Sequence, residues 1–413
     1  MKNGNPGKAS VIGIGRVGLP LGLIMADAGF DVFGVDVRQE YVDKIARGEL
    51  PFIEGGAEQL LRKHVNRKFF PTTDISKTAS SEFIVLTLGT PVDEHLNPDY
   101  RQIDSVMQGL FPHLRKGQSI ILRSTVAPGT TEYLREYIEK HTKMKVGKDI
   151  FLAFCPERIA QGMAIEELPG IPQIVGGIDE ESTRKAAEFF SAFTKEQLKT
   201  DARSAELAKI FTNMYRYINF SIANEFMILA EEHERDIYEI INLINKNYKR
   251  GGVRLPGYAA GPCLYKDGFF LINAVPFSEL ISVSWKINET TPLYLLNKIK
   301  KMTPLKDRKV VVLGMAFKAD NDDMRQSLSF KIKKALQREH AQIECHDPFV
   351  KEYSAKGIDE ALRGADVVIV GTNHTAYKEF GLGKLRENVA KGCIVCDVWN
   401  VFGKGKIIYR ASE

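Results

Sequence analysis

A glycine-rich turn near the amino terminus is the feature that most constrains how this chain folds. Gly13, Gly15 and Gly18 form a G-x-G-x-x-G pattern between a strand-like run, VIGIG (11–15), and a helical segment, VGLPLGLIMADAG (17–29). Asp36 ends the next strand-like run, DVFGVDV (31–37), and lies 18 residues beyond Gly18. A strand, a glycine turn and a helix in this order predict a βαβ unit and a parallel sheet.

The same spacing favours a bound dinucleotide. Gly13 allows the tight turn, Gly15 lets backbone N–H groups approach a pyrophosphate, and Gly18 permits close packing of helix on strand. A carboxylate at Asp36 accepts both ribose hydroxyls and repels a 2′-phosphate, so NAD is favoured over NADP. Arg38 weakens that preference, because a nearby guanidinium serves a 2′-phosphate in some proteins. The alternative is a glycine turn kept for packing or for another nucleotide.

Three blocks of different pattern divide the chain, with boundaries expected at 1–200, 201–304 and 305–413. The first alternates short β-branched runs with amphipathic segments, which predicts a parallel α/β sheet. From 200 to 247 there is no Gly or Pro and the apolar positions recur at helical spacing, which predicts one or two long helices. The third block, from KVVVLGMAF (309–317), is again α/β in pattern. We therefore expect an α/β protein with two Rossmann-like doubly wound domains joined by a long central helix.

The composition narrows the class of protein. Hydrophobic residues make up 44% and charged residues 26% of the 413 residues, with a net charge of +5, which is typical of a globular chain. The charge is too small and too evenly spread for a nucleic-acid surface, and no apolar run approaches the roughly 18 residues of a membrane helix. With no signal-peptide pattern and an odd count of five cysteines, we expect a cytoplasmic protein without a disulfide framework, a nucleic-acid partner or a membrane partner.

One cysteine stands in a setting suited to chemistry. Cys263 lies in YAAGPCLYKDGFF (258–270), where small residues leave room for a ligand. Lys266 and Asp267 follow three and four residues later; a nearby ammonium lowers the pKa of a thiol, and a carboxylate orients water or accepts a proton. A buried structural cysteine beside a surface ion pair is the alternative that the spacing leaves open.

Polar residues elsewhere are further candidates. Lys209 and Asn213 are four residues apart and so project from one face of the long helix; a surface lysine lying along apolar neighbours is the alternative. Glu157 follows a predicted strand, DIFLAF (149–154), at the sheet edge where α/β proteins bind ligands, with an ordinary loop acid equally plausible.

Two further patterns are interpreted as structural. The C-x-x-C at 393–396 lies in an apolar run without a second pair at zinc spacing, so a buried strand is expected. His346 and His374 are taken as isolated, and no metal is expected.

Taken together, these segments resemble the nucleotide-sugar 6-dehydrogenases, the group that includes UDP-glucose dehydrogenase and the UDP-N-acetylhexosamine dehydrogenases. The resemblance covers nearly the whole chain and depends on motifs that occur in one order: GIGRVGLPLG (13–22), TLGTPVD (87–93), RSTVAPGTT (123–131), CPERIAQGMAI (155–165), SAELAKIFTNMY (204–215), GPCLYKD (261–267), LGMAFKADNDDMRQS (313–327) and CHDPFV (345–350).

The resemblance implies an NAD-binding domain, a central helix that forms a homodimer, and a carboxyl-terminal domain that binds the UDP half of a UDP-sugar. It implies that the C6 alcohol is oxidised twice, through a thiohemiacetal and a thioester on Cys263, to a uronate. Lys209 and Asn213 would stabilise the oxyanion, Asp267 and Thr125 would orient water and move protons, and Glu157 would act as base in thioester hydrolysis.

The resemblance also assigns binding residues. The cofactor positions are Gly13, Gly15, Arg16, Val17, Gly18, Asp36, Thr90, Ser124, Thr125 and Arg325. The substrate positions are Glu157, Arg158, Lys209, Asn213, Arg254, Gly257, Gly261, Lys266 and Lys318.

Three departures from the UDP-glucose pattern point to a UDP-N-acetylhexosamine of gluco, manno or other configuration. Pro262 replaces a serine beside the nucleophile, Gln161 replaces an acid, and Asp-Val-Trp at 397–399 replaces Asp-Gly-Arg. The alternatives are a UDP-glucose 6-dehydrogenase, a two-electron hydroxyacid or 6-phosphogluconate-type dehydrogenase, and a non-catalytic subunit that binds NAD or a nucleotide sugar.

Overall fold

The computed structural model describes residues 6–95, 97–272 and 278–413. The chain divides into two compact units, Met1–Thr212 with Phe269–Ala274, and Asn213–Gly268 with Val275–Glu413. The three-block division expected from the sequence stays a prediction. Within the described ranges, no helix is long and apolar enough to cross a membrane.

The first unit is built on an eight-stranded sheet in the order β3-β2-β1-β4-β5-β6-β7-β8. Its strands are β1 (Lys8–Ile12), β2 (Asp31–Val35), β3 (Phe69–Thr72), β4 (Phe83–Leu86), β5 (Ser119–Leu122), β6 (Phe151–Phe154), β7 (Gln173–Gly177) and β8 (Gln197–Asp201). The pairs from β3 through β6 are parallel, β7 runs antiparallel to β6, and β8 is parallel to β7. The order of the first six strands is that of a doubly wound dinucleotide-binding sheet.

Helices cover this sheet, and its central strands are therefore buried. The helices are α1 (Gly18–Asp27), α2 (Gln39–Ala46), α3 (Ala57–His64), α4 (Arg101–Leu110), α5 (Thr130–Thr142), α6 (Ala164–Glu167) and α7 (Glu180–Ser191), with 3₁₀ turns at Ile75–Ser80 and Phe111–His113.

The predicted long helical region forms α8 (Ala202–Glu232) and α9 (Ile237–Asn245). The break between them contains Glu234 in a left-handed conformation, with φ of 55°, and Asp236 caps α9 by accepting from the backbone N–H of Tyr238 at 2.7 Å. The helices that follow are α10 (Leu264–Asp267), α11 (Phe269–Ile272) and α12 (Glu279–Met302).

The second unit contains a five-stranded sheet in the order β10-β9-β11-β12-β13. Its strands are β9 (Lys309–Leu313), β10 (Gln342–His346), β11 (Val367–Val370), β12 (Ile394–Cys396) and β13 (Ile408–Arg410), and its further helices are α13 (Ser329–Arg338), α14 (Ile358–Leu362) and α15 (Thr375–Asn388). The first four strands are parallel and β13 is antiparallel to β12. The expected α/β fold with Rossmann-like sheets and a long central helix is confirmed.

Candidate active site

The glycine turn after β1 has the geometry of a phosphate-binding turn. Gly13 has φ of +92°, and a Cβ there would lie 2.7 Å from the carbonyl oxygen of Thr87. At Gly18 a Cβ would lie 2.1 Å from the carbonyl oxygen of Gly13, whereas a Cβ on Gly15 would have no heavy atom of the described residues within 4 Å apart from those of its two chain neighbours. Close packing therefore requires glycine at 13 and 18, and the missing side chain at 15 leaves space for a dinucleotide pyrophosphate.

The acid after β2 is held in place by a neighbouring arginine. Asp36 is 8% exposed, and its carboxylate accepts from Arg38 Nε at 3.0 Å, from Arg38 Nη2 at 3.1 Å and from the Arg38 backbone N–H at 3.1 Å. The Arg38 guanidinium also stacks on the ring of Tyr41, 3.8 Å from its centroid. The guanidinium thus donates to the oxygens that would accept ribose hydroxyls, and we expect it to turn aside when a ribose binds.

Other predicted residues of this unit follow the carboxyl ends of β4, β5 and β6. Thr90 is half-buried after β4, and Ser124 Oγ donates to the carbonyl oxygen of Leu88 at 2.6 Å. Thr125 is half-buried beside it. Strand ends at this edge are where open α/β sheets bind ligands.

The strand-end acid Glu157 belongs to a buried ion pair that the sequence did not reveal. Its Oε2 accepts from Nε of Arg123 at 2.9 Å and also from Nη2, while its Oε1 accepts from the backbone N–H groups of Arg158 at 2.8 Å and Ile159 at 3.0 Å. The Arg123 side chain is 1% exposed and its Nη1 donates to Gln173 Oε1 at 3.0 Å. Arg123 on one oxygen and two backbone N–H groups on the other therefore hold the Glu157 carboxylate in one position. If Glu157 acts as a base, it does so from that position.

In the second unit, Cys263 precedes the short helix α10 and is exposed. Its carbonyl oxygen accepts from the backbone N–H of Asp267 at 3.0 Å and of Lys266 at 3.2 Å, which forms the first turn. All five cysteines lie within the described residues, and the other four are buried or half-buried. The thiol that the sequence singled out is thus the accessible one.

Behind Cys263 lies a buried chain of charged and polar groups. Asp267 is fully buried; its Oδ1 pairs with the Lys266 ammonium at 3.1 Å and its Oδ2 accepts from Nδ2 of Asn213 at 2.7 Å. Lys266 and Asp267 pair with each other, and Asn213 joins Asp267; their convergence on the thiol stays a prediction. A buried carboxylate that is bonded on both oxygens keeps one orientation, whereas a carboxylate in water does not.

A glycine loop leads to the cysteine. Gly257 and Gly261 are buried; Gly261 has φ of +104°, a Cβ there would lie 2.6 Å from the ring of Phe317, and its N–H donates to the carbonyl oxygen of Gln326 at 3.2 Å. This places the loop against the segment after β9, at the point where the second sheet reverses its strand order and α/β proteins bind ligands. Lys318, in that segment, is half-buried.

The remaining arginines lie on the surface of the same unit. Arg325 is 60% exposed and pairs with the buried carboxylate of Asp323 at 2.7 Å. Arg254 is exposed, and its guanidinium lies 4.8 Å from the ring centroid of Phe220.

The predicted residues fall into two groups by unit, and their assigned roles remain predictions. The first unit holds Gly13, Gly15, Arg16, Val17, Gly18, Asp36, Thr90, Ser124, Thr125, Glu157, Arg158 and Lys209; the second holds Asn213, Arg254, Gly257, Gly261, Cys263, Lys266, Asp267, Lys318 and Arg325.

The two histidines, His346 and His374, belong to a hydrogen-bonded network. His374 Nε2 lies 3.0 Å from Oδ2 of Asp347, and its Nδ1 accepts from the backbone N–H of Asp320 at 2.9 Å, which assigns the proton to Nε2. His346 contacts the hydroxyl of Tyr377 at 3.1 Å. These groups are buried, and the network fastens the loop after β9 to the rest of the unit.

Sequence reasoning also missed Glu206 on α8. It is fully buried and accepts from the backbone N–H of Gly129 at 2.6 Å and from both N–H and hydroxyl of Thr131, at 2.9 and 2.6 Å. Burial raises its pKa. The sequence pattern that could have revealed Glu206 is an acidic residue on an otherwise apolar face of the helix.

Comparison with known proteins matches nearly the whole chain to one family. Residues 7–194 match the NAD binding domain, 203–289 the central domain and 311–404 the UDP binding domain of the UDP-glucose/GDP-mannose dehydrogenase family. A UDP-N-acetyl-D-mannosamine dehydrogenase of Methanocaldococcus jannaschii is 30% identical over 413 residues, covering 98% of this chain and 94% of that protein.

Solved structures of nucleotide-sugar dehydrogenases have the same fold as this chain. The UDP-D-ManNAc dehydrogenase of Pyrococcus horikoshii superposes with a TM-score of 0.88 at 28% identity, covering 92% of this chain and 93% of that one. The UDP-N-acetyl-mannosamine dehydrogenase of Staphylococcus aureus gives 0.86 at 28% identity and covers 95% of each chain. The glycine turn and Asp36 lie within the matched NAD binding domain. The chain therefore belongs to the UDP-glucose/GDP-mannose dehydrogenase family and is an NAD-dependent nucleotide-sugar dehydrogenase.

Proposed function

We propose that this enzyme oxidises the C6 hydroxyl of a UDP-N-acetylhexosamine to the uronate in two steps, with Cys263 as covalent nucleophile. The observation that carries the proposal is the exposed Cys263 thiol at the start of α10, backed by the buried chain Lys266, Asp267 and Asn213. An exposed thiol next to fixed polar groups is the arrangement that nucleophilic catalysis requires.

The proposed oxidation of C6 passes through an aldehyde and then through two covalent intermediates on Cys263. Removal of a hydride from C6 and a proton from its hydroxyl gives an aldehyde. The Cys263 thiolate adds to that carbonyl and the oxygen takes a proton, which gives a thiohemiacetal. Loss of a second hydride and a proton gives a thioester, and water then releases the uronate and the thiol. The glycine turn and Asp36 would hold NAD, which would supply the hydride acceptor for each oxidation.

The residues that surround this chemistry have distinct tasks in the proposal. Lys209 and Asn213 stabilise negative charge on the C6 oxygen, and Asp267 with Thr125 orients water and moves protons. Glu157 is the base for thioester hydrolysis. Its position is supported by Arg123 and by two backbone N–H groups, which hold the carboxylate in one orientation.

The proposed substrate is a nucleotide sugar with a UDP half and an N-acetylhexosamine half. The match of 311–404 to a UDP binding domain supports a UDP-sugar, with Lys318 and the loop around Gly257 and Gly261 as binding residues. The relatives in Methanocaldococcus and Staphylococcus are named for UDP-N-acetylmannosamine, which makes this sugar the first to test. Trp399 packs on Gly257. The UDP-glucose dehydrogenases have an arginine at this position of their Asp-Gly-Arg sequence.

A homodimer through α8 is part of the proposal. Its exposed apolar side chains follow one stripe: Tyr215 is 72% exposed, Ile222 38%, Phe226 40% and Leu229 52%. Apolar patches of this kind mark protein interfaces, and the helical spacing suits a second copy of α8. Light scattering on the wild type and on Phe226→Glu tests this, with exposed Glu225→Ala as control; a monomeric wild type would refute it.

We also propose that the enzyme works in the cytoplasm, since a catalytic thiol is maintained in a reducing compartment. Fractionation of the source cells with an antibody to the protein tests this, and recovery outside the cytoplasm would contradict it.

The function is tested with a panel of sugars and two cysteine variants. UDP-N-acetylmannosamine, UDP-N-acetylglucosamine, UDP-N-acetylgalactosamine and UDP-glucose are each incubated with NAD, and the uronate is measured by mass spectrometry. We expect an N-acetylhexosamine to give the highest kcat/KM and Cys263→Ala to form no uronate, with Cys345→Ala as the matched control. UDP-glucose as best substrate would overturn the sugar assignment, and full turnover by Cys263→Ala the mechanism.

A further inference from the structure

A fully buried asparagine on α8 binds the backbone of the glycine loop in two places. Asn224 Oδ1 accepts from the N–H of Gly257 at 3.0 Å, and its Nδ2 donates to the carbonyl oxygen of Gly257 at 3.0 Å. Asn224 is 0% exposed. The side-chain amide thus pairs with both polar groups of one loop residue, as a neighbouring strand would.

A second buried asparagine fixes the orientation of the first. Asn288 on α12 accepts the other Nδ2 proton of Asn224 at 3.0 Å and donates its own Nδ2 to the carbonyl oxygen of Tyr217 at 3.0 Å. If the Asn224 amide were flipped, its NH₂ would face the Gly257 N–H and its oxygen would face two acceptors. The network therefore permits one orientation.

The opposite side of Gly257 is closed by Trp399. A Cβ on Gly257 would lie 2.3 Å from the indole ring, and the indole N–H donates to the carbonyl oxygen of Gly371 at 3.2 Å. The backbone of Gly257 is therefore held between an amide and an indole.

This contact is placed to act on the proposed nucleophile. The loop 257–262 is tied at its start by Asn224 and near its end by the Gly261 N–H, which donates to Gln326. Only Pro262 separates the second tie from Cys263. Fully satisfied buried polar networks specify one geometry rather than merely adding stability.

We propose that Asn224, oriented by Asn288, is a positioning residue for the reaction: it sets the glycine loop that contacts the UDP-sugar and presents Cys263. The inference depends on the proposed function, because it takes the loop as part of the substrate site and Cys263 as the nucleophile.

The test compares Asn224→Ala with Ser221→Ala. Ser221 is one turn away on α8 and is also buried, and its hydroxyl bonds Ser284 of α12 at 2.9 Å and the carbonyl oxygen of Ile218 at 2.8 Å. Three readouts are taken on the full-length enzyme at a temperature where circular dichroism shows both variants folded: kcat and KM for the UDP-sugar, the protection of Cys263 from iodoacetamide by UDP, and hydrogen exchange of peptides covering 257–262.

For Asn224→Ala we expect a fall in kcat/KM of about 10- to 100-fold, the range for a misplaced reacting group. Protection of Cys263 by UDP is weakened and exchange in 257–262 is faster. Ser221→Ala keeps wild-type values. If Asn224→Ala lowers the melting temperature but matches Ser221→Ala in all three readouts, its role is structural and the inference is overturned.

If Asn224→Ala does not fold, Asn288→Ala decides: it leaves Asn224 in place but removes the acceptor of its second Nδ2 proton, so the proposed orientation by Asn288 predicts a weaker hold on Gly257. Raised KM and faster exchange support the inference, and wild-type values overturn it. The proposed function and the positioning role of Asn224 can be refuted separately. A wild type that forms no uronate refutes the proposed function. Hydrogen exchange and protection by UDP still show whether Asn224 holds the loop.

Discussion

The five cysteines differ in exposure and in the pKa of their thiols, and this difference predicts how fast each one is alkylated. Cys263 is exposed, and the other four cysteines are not. Burial raises the pKa of Cys345 to about 11, and it raises the pKa of Cys155 and of Cys393 to about 12. Burial also raises the pKa of Cys396.

The thiolate is the species that reacts, so these pKa values set a scale for alkylation. At pH 7.5 an exposed reference thiol of pKa ~8.5 is ~10% ionised, and a thiol of pKa about 11 is ionised ~300-fold less. For pKa about 12 the ratio is ~3,000. Burial adds steric protection, so we expect Cys263 to be alkylated at least ~100-fold faster than Cys345, the least buried of the others.

The assay is iodoacetamide labelling of the native enzyme at pH 7.5, followed by peptide mass spectrometry over time. One label per chain, located at Cys263, is the expected early product, and Cys263→Ser removes the fast phase. The reasoning is refuted if Cys345 or either cysteine of the 393–396 run is labelled at a rate comparable to that of Cys263.

Three further predictions concern other sites. Asp36→Ser lowers the ratio of kcat/KM for NAD to that for NADP by roughly tenfold or more, because it removes a charged acceptor; an unchanged ratio contradicts this. Arg123→Ala removes the cation that pairs with Glu157, whose side chain is 12% exposed, and lowers the free energy of unfolding in urea by about 1.5–3 kcal/mol, whereas Arg184→Ala, in exposed ion pairs, costs about 1 kcal/mol or less; equal costs refute the assignment. Burial raises the pKa of Asp347, but hydrogen bonds, first from His374, outweigh it and hold that pKa below its ordinary value. Its stabilisation is thus present above pH ~4 and is lost as pH falls further, so the gap in unfolding free energy between wild type and Asp347→Asn shrinks below pH ~4; a gap that does not change with pH contradicts this.

Much of the fold could be predicted because its local patterns agree with its final structure. The apolar runs that were expected to form strands do so at β1, β2, β4, β5 and β6. The edge strand β8 was missed, since QLKTD is polar and largely exposed and carries no buried-strand pattern. Strand β3 contains Pro71, which argues against a strand except at a sheet edge, where β3 lies.

The site could be predicted only where chemistry is local in sequence. Cys263, Lys266 and Asp267 lie within five residues and could be found from spacing. The partners that hold site residues lie far away in the chain: Arg123 is 34 residues from Glu157 and Asn224 is 33 from Gly257. No periodicity reveals which of many polar residues meets which, because that is decided by how the elements pack.

The central claim is that Cys263 retains the sugar through both oxidations. The most direct measurement is the number of NADH formed per UDP-N-acetylhexosamine consumed, with the sugar limiting and the product identified by mass spectrometry. We predict two NADH per sugar and a uronate as sole product, with no uronate from Cys263→Ala. One NADH per sugar, with an aldehyde or ketone as the product, would contradict the account.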